Sequence, residues 1–265
     1  MNKAIGVFDS GFGGLTVVSE ILKQLPNESI IYFGDTAHLP YGSKSKETIT
    51  KYSLAIKDFL LNRGVKIIVV ACNTASACAI DALKKSTEVP VVDVINPGAR
   101  AVLNLTKNKR IGIIGTTATI KSKAYEATIL KLNSEVRIFT QQCPLFVPLV
   151  EEGWIENQVT LLIAKEYLTV LKEEKIDSLV LGCTHYPLLK KIIMRVMGLE
   201  VALVDSAEET AKEVKRVLSE NKLMNENSTI PANFEYFVSD DPEKFVKLGK
   251  NFLGKEITNI EKIEL

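Results

Sequence analysis

Short apolar runs alternate along this chain with stretches in which apolar side chains recur every three or four positions. The first kind reads as buried strand, the second as helix packed on a sheet. A strand pattern covers residues 3–9. The turn Ser10-Gly-Phe-Gly-Gly14 follows, then helical spacing over 15–25, closed by Pro26. The cycle repeats as a strand over 29–35, a polar loop over 36–45, a helix over 46–62 that stops at Gly64, and a strand running into Cys72. After a helix to about Thr87, residues 89–95 read as strand. Asn96-Pro-Gly98 reads as punctuation before a short helix and as the crossing to a second half.

That half restarts with strand and turn over 110–119, a helix over 120–133 and a strand over 135–141. Residues 144–153, with two prolines and the pair Glu151-Glu152, read as irregular. A long helical pattern from Asn157 leads to a strand ending at Cys183. Then come a helix over 188–197, a strand over 200–205, and a helix headed by the capping-box sequence Ser206-Ala-Glu-Glu209. From Phe234 the tail supplies strand, helix and strand. Such alternation predicts an α/β fold of two pseudo-symmetric, doubly wound lobes with mostly parallel sheets and the site in the cleft between them. Residues 1–95 plus 208–265 are assigned to lobe one, and 96–207 to lobe two.

The pseudo-symmetry is visible in the motifs. Lys66-Ile-Ile-Val-Val-Ala-Cys-Asn-Thr-Ala-Ser76 has an echo in Asp177-Ser-Leu-Val-Leu-Gly-Cys-Thr-His-Tyr-Pro187, and Cys183 follows Cys72 by 111 residues. Ile5-Gly-Val-Phe-Asp9 and Ile111-Gly-Ile-Ile-Gly115 stand 106 residues apart. Both cysteines fall at the carboxyl end of a strand, where open α/β sheets bind ligands and the next helix offers backbone N–H groups to anions. A buried cysteine ordinarily just packs. Two in matching positions, each followed by hydroxyl or amide side chains, point instead to chemistry, whereas Cys78 and Cys143 lack such neighbours and read as structural.

A hydrolase needs one thiolate and one base, so a second equivalent thiol would be redundant. Removing a proton from one face of a carbon and delivering one to the other needs two similar groups on opposite sides, which is racemisation or epimerisation. With an ordinary pKa of about 8.5, forming a thiolate at neutral pH costs roughly 2 kcal/mol, which helix N–H groups and a charged partner can offset. Asp9, at another strand end, and His185 are the candidate partners. Glu151 is a further acid or base helper. Ser10, Tyr41, Gly42, Asn73, Thr74, Thr116, Thr119 and Thr184 are donors suited to fixing carboxylates.

With 33 basic and 32 acidic residues the formal net charge is +1, so no basic field exists to hold nucleic acid or an anionic membrane. The expected partner is a small molecule. No apolar stretch is long enough to span a bilayer, no secretory signal pattern opens the chain, and four cysteines without CxxC spacing point to a reducing cytoplasm. Gly11-Phe-Gly13 after a strand, with Asp35 ending the next, echoes a dinucleotide fingerprint, but Thr16 stands where the third glycine belongs. A zinc site from Cys72, Cys78, Cys183 and His185 matches no common ligand spacing.

Four segments together, Asp9-Ser-Gly-Phe-Gly-Gly-Leu-Thr-Val17, Tyr32-Phe-Gly-Asp-Thr-Ala-His-Leu-Pro-Tyr-Gly42, Ala71-Cys-Asn-Thr-Ala-Ser76 and Leu181-Gly-Cys-Thr-His-Tyr-Pro187, resemble the aspartate/glutamate racemase family over nearly the whole chain. The resemblance implies cofactor-independent and metal-free interconversion of L- and D-glutamate for peptidoglycan, in a cytoplasmic homodimer. It implies that Cys72 and Cys183 serve opposite faces of the α-carbon, that Asp9 and His185 assist them with Glu151 as a further helper, and that Ser10, Tyr41-Gly42, Asn73-Thr74 and Thr184-His185 hold the substrate. Aspartate and hydantoin racemases share the two-thiol plan, and a two-lobed solute-binding module shares the shape. These remain the alternatives.

Overall fold

The computed structural model describes residues 3–225 and 231–265. The first sheet is built from β1 (Ile5–Asp9), α1 (Leu15–Gln24), β2 (Ile30–Gly34), α2 (Lys46–Asn62), β3 (Ile67–Val70), α3 (Asn73–Lys85) and β4 (Val91–Asp93). The chain then crosses through α4 (Ile95–Leu105) to a second sheet. This comprises β5 (Arg110–Gly115), α5 (Thr117–Lys121), α6 (Ala124–Leu132), β6 (Arg137–Gln142), α7 (Phe146–Glu151), α8 (Gln158–Glu173), β7 (Ser178–Gly182), α9 (Lys190–Met197) and β8 (Ala202–Asp205). Helix α10 (Ser206–Glu220) returns to the first sheet, which β9 (Phe234–Val238), α11 (Pro242–Leu253) and β10 (Ile260–Lys262) complete.

Strand order is β10-β9-β2-β1-β3-β4 in one sheet and β6-β5-β7-β8 in the other, and every pairing is parallel. In each, the chain's direction of winding reverses beside the founding strand, between β1 and β3 and between β5 and β7. These are the switch points at which doubly wound sheets bind ligands. Side chains alternate across each strand. Ile5 and Val7 join the core under α1 and α10, while Phe8 faces the core under α2 and α3. Because both faces are covered, these strands read as continuous apolar runs.

Several boundaries differ from the sequence reading. Asn96, Pro97 and Gly98 are not a loop but part of the first turn of α4, capped by Asp93, whose Oδ1 accepts from the N–H of Ile95 and Asn96 at 2.9 Å. Pro148 likewise sits in the first turn of α7, in the stretch expected to be irregular. A proline there removes an N–H that would lack a helical partner anyway. The single helix expected over 120–133 is two, broken at Lys123, which adopts a left-handed conformation at φ 56°. The cap of α10 is Asp205, accepting from Ala207 N at 2.9 Å, and Ser206 is the first helical residue.

Gly182, at the end of β7, illustrates how tightly the second sheet is closed. A Cβ there would lie 2.6 Å from the Ile114 carbonyl oxygen of β5. Gly182→Ala is therefore expected to destabilise the protein by about 1–3 kcal/mol, as over-packing does. A urea midpoint unchanged from the parent would contradict this contact.

Candidate active site

Cys72 and Cys183 occupy equivalent places, one just past β3 and the other just past β7, and both are buried. Cys72 is the N-cap of α3. Its Sγ accepts from Ala75 N at 3.4 Å and donates to Ser10 Oγ at 3.6 Å. Burial and then the Asp9 carboxylate push this thiol up to about 12, against the pull of the Ala75 N–H and Ser10. Cys72 is therefore held as a thiol at neutral pH.

Asp9 ends β1 and is fully buried in the turn that follows. Its Oδ2 accepts from Gly11 N at 2.9 Å, while Oδ1 has no partner among the described residues. Burial raises the carboxyl, opposed by the charge of His185 and by the N–H groups of Gly11, Gly14 and Ser10. Gly14 has to be glycine because a Cβ would stand 2.5 Å from the Asp9 Cβ.

Around Cys183 the charges run the other way. His185 Nδ1 lies 3.9 Å from Cys183 Sγ and 3.5 Å from Thr184 Oγ1, and Nε2 lies 3.2 Å from Glu151 Oε1 at the end of α7. Burial alone would lower the imidazole, but Cys183 and Glu151 outweigh it and raise it to about 10. A cation thus flanks the second sulfur, as an anion flanks the first. The His185 ring also meets Phe252 of α11 edge to face at 5.1 Å.

The two lobes interlock at this point. A Cβ on Gly13 would stand 2.6 Å from His185 Nδ1 and collide with Thr184 Oγ1, so only glycine lets the first turn reach the second lobe. Thr16 Oγ1 donates to the Gly13 carbonyl at 2.9 Å and lies 3.4 Å from the Thr184 carbonyl across the boundary. The hydroxyls of Thr74, Thr116 and Thr119 form a triangle with separations of 3.0, 3.2 and 3.0 Å, joining α3 to the N-terminus of α5. Gly42 abuts the same group, its absent Cβ 2.7 Å from Thr116 Cβ.

Tyr41 is placed differently from a free donor. Its hydroxyl is committed to Asp35 Oδ2 at 2.5 Å, and Asp35 also accepts from Ser239 Oγ at 2.7 Å and meets His38 Nδ1 at 2.8 Å. Tyr41 therefore anchors the loop, leaving backbone and Gly42 to face the cleft. Asn73 is buried with its Oδ1 accepting from Tyr125 Oη at 2.6 Å and its Nδ2 without a partner among the described residues.

The structure thus gathers Asp9, Ser10, Cys72, Asn73 and Thr74 from the first lobe with Thr116, Thr119, Glu151, Cys183, Thr184 and His185 from the second. Sequence reasoning missed Thr16, Asp35, Tyr125 and Phe252. Asp35 carried a signal, a carboxylate at a strand end, but was weighed only as a dinucleotide feature. The other three lie within helices, where nothing local marks them.

A cavity of about 370 Å³ lies between the lobes, lined by Leu39, Pro40 and Gly42 on one side and Thr116, Pro148 and Glu151 on the other. A larger one, about 480 Å³, sits at β4, α4 and α10 and touches none of the predicted site residues. Its cations are paired, Lys84 with Asp93 and both Arg100 and Arg216 with Glu213. Among the described residues no group of three or more His, Cys, Asp or Glu side chains is disposed to hold a metal ion. None of their helices is long and apolar enough to cross a membrane.

Parallel doubly wound sheets with a thiol at each switch point define a class of α/β isomerase, and residues 5–214 match the model of the Asp/Glu/Hydantoin racemase family. The chain belongs to that family. It is 54% identical over 263 residues to the glutamate racemase of Geobacter metallireducens, covering 99% of this chain and 97% of that protein. It is 51% identical over 264 residues to the glutamate racemase of Neisseria meningitidis serogroup A, with the same coverage. The crystal structure of glutamate racemase from Francisella tularensis in complex with D-glutamate superposes with a TM-score of 0.94 at 42% identity, covering 99% of this chain and 98% of that one.

The raised His185 yields a pH expectation. Its protonated form is favoured by the fold, so this contribution is complete below its ordinary value near 6.5 and is lost as pH rises through about 10. Glu151→Gln removes one of the partners that raise it. The alkaline limb of the kcat/KM profile is expected to move to lower pH, and an unmoved limb would dissociate Glu151 from His185.

Proposed function

We propose that this chain interconverts L- and D-glutamate, a thiolate taking the α-proton from one face while the opposite thiol gives one to the other. The observation that carries this reading is the pairing of Cys72 and Cys183 at equivalent strand ends of facing lobes, with opposite charges beside them. In one direction the thiolate of one cysteine removes the α-proton and becomes a thiol. The thiol of the other protonates the carbanion from behind and becomes the thiolate, ready for the reverse passage.

Asp9 and His185 assist the sulfur nearest each. As the carbanion forms, developing negative charge near Cys183 is offset by the imidazolium, which Glu151 holds in register. A substrate ammonium suits the unpartnered Oδ1 of Asp9, and a substrate carboxylate suits the unpartnered Nδ2 of Asn73. Ser10, the backbone at Tyr41-Gly42, the hydroxyls of Thr74, Thr116 and Thr119, and Thr184 complete the polar lining. The reading extends to a cytoplasmic homodimer that supplies D-glutamate for peptidoglycan, with lobe boundaries at 95 and 207.

Glutamate is favoured over aspartate by the names of the relatives at 54% and 51% identity. The aspartate racemase homologue of Pyrococcus horikoshii is 18% identical with a TM-score of 0.59, a likeness of fold alone. A solute-binding module would have no use for two buried thiols. Circular dichroism with L-glutamate, and separately L-aspartate, tests substrate and reaction together, and signal loss is expected with glutamate only. Cys72→Ser and Cys183→Ser are each expected to abolish racemisation in both directions. Full turnover by either variant would end the two-thiol scheme.

A further inference from the structure

Tyr125 stands near the start of α6, in the second lobe, yet its hydroxyl meets a side chain of the first. Tyr125 Oη donates to Asn73 Oδ1 at 2.6 Å. Asn73 follows Cys72 directly and opens α3, so it borders the carbon on which the proposed chemistry occurs. A primary amide has a donor end and an acceptor end, and without a directing partner it can present either.

Here the direction is set. The amide oxygen can only accept, so the phenol proton lies between the two, and the Ser206 side chain stands beside the phenol against Gly98. Ser206 is available because Asp205, one residue earlier, caps α10. Burial and the nearby carboxylate of Asp93 keep the phenol protonated, as a donor must be.

The ring itself is slotted between glycines. A Cβ on Gly98 would lie 3.4 Å from Tyr125 Cε1 and Oη, and one on Gly182 would lie 3.3 Å from Cε2. Tyr125 is buried. With Oδ1 taken by Tyr125, Nδ2 is turned the opposite way and is buried without a partner among the described residues. Such a donor is costly to leave unmade, which is how a site prepares for an acceptor that arrives with the ligand.

We propose that Tyr125 is a substrate-positioning residue, whose hydroxyl orients the Asn73 amide so that Nδ2 donates to a carboxylate of the bound amino acid. The proposal rests on the racemase reading and adds to it a relay, Tyr125 to Asn73 to substrate, that crosses between the lobes. Tyr125 touches neither the reacting carbon nor either sulfur in this scheme. It acts on binding through Asn73.

The test is steady-state racemisation of L- and D-glutamate, followed by circular dichroism, in Tyr125→Phe, Asn73→Ala and the double variant. Tyr125→Phe is expected to raise KM in both directions about tenfold, the loss of one well-directed hydrogen bond, while kcat stays within about threefold. Asn73→Ala should raise KM at least as much, and adding Tyr125→Phe to it should do no further harm, because two members of one relay do not add. Ser206→Ala keeps the ring and removes only the hydroxyl beside the phenol oxygen, which loosens the phenol's aim at Asn73, so a smaller rise in KM is expected even should the phenylalanine variant fold poorly.

An unchanged KM in both Tyr125→Phe and Ser206→Ala, a fall in kcat alone, or multiplying effects in the double variant would overturn the assignment. Parent protein that leaves the handedness of glutamate unchanged would instead defeat the racemase reading. The two failures are thus distinguishable.

Discussion

The cleft depends on keeping a few ionisable groups out of water at the facing ends of two parallel sheets. Desolvation disfavours every charge there, so a charge persists only where a partner is built beside it. The two lobes meet that requirement in opposite ways. On the first, Asp9 and burial hold Cys72 as a thiol. On the second, Glu151 and Cys183 hold His185 as a cation. Sulfurs equivalent by topology are therefore inequivalent by environment, one held as a thiol and the other flanked by a cation. The electrostatic influence of His185 on Asp9 links the two halves into one network.

That arrangement demands close approach, and glycine supplies it. Gly13, Gly14 and Gly42 bring backbone to within contact of His185, Asp9 and Thr116, distances at which any side chain would intrude. The packing under the site is apolar and continuous. Residues from both sheets, such as Val7, Val69, Ile113 and Leu179, belong to a single buried cluster. Contacts at the cleft are instead hydroxyl, amide and imidazole. The lobes are held together by burial and aligned by hydrogen bonds, and only the second kind carries direction.

Much of this was legible in the chain. Parallel strands buried on both faces betray themselves as apolar runs, and the similar spacing of Cys72 from Cys183 and of Ile5 from Ile111 reported the shared topology of the two sheets. Strand-end polar residues were legible because their position is fixed by the strand before them. Proline misled twice, at Pro97 and Pro148, because its penalty applies to helix interiors and both stand in first turns. The break at Lys123 had no signal, since a left-handed lysine is imposed by packing and not by its own preference. Ser206 matched a capping box, yet Asp205 at the strand end was the nearer carboxylate and took the role.

The residues that escaped the sequence reading share a physical character. Tyr125, Thr16 and Phe252 act across the lobe boundary, on Asn73, Thr184 and His185 respectively. Helical periodicity accounts for each of them as ordinary packing residues, so the pattern has nothing left over to explain. The two small shifts in α6 and α10 are what set the surroundings of Tyr125. The break at Lys123 starts a new helix just ahead of it, and the cap at Asp205 leaves Ser206 in the first turn of α10 beside the phenol. A site assembled from two sheets thus takes its ionisable groups largely from strand ends, where sequence exposes them. It takes their orientation from helix positions that acquire meaning only once the lobes are joined.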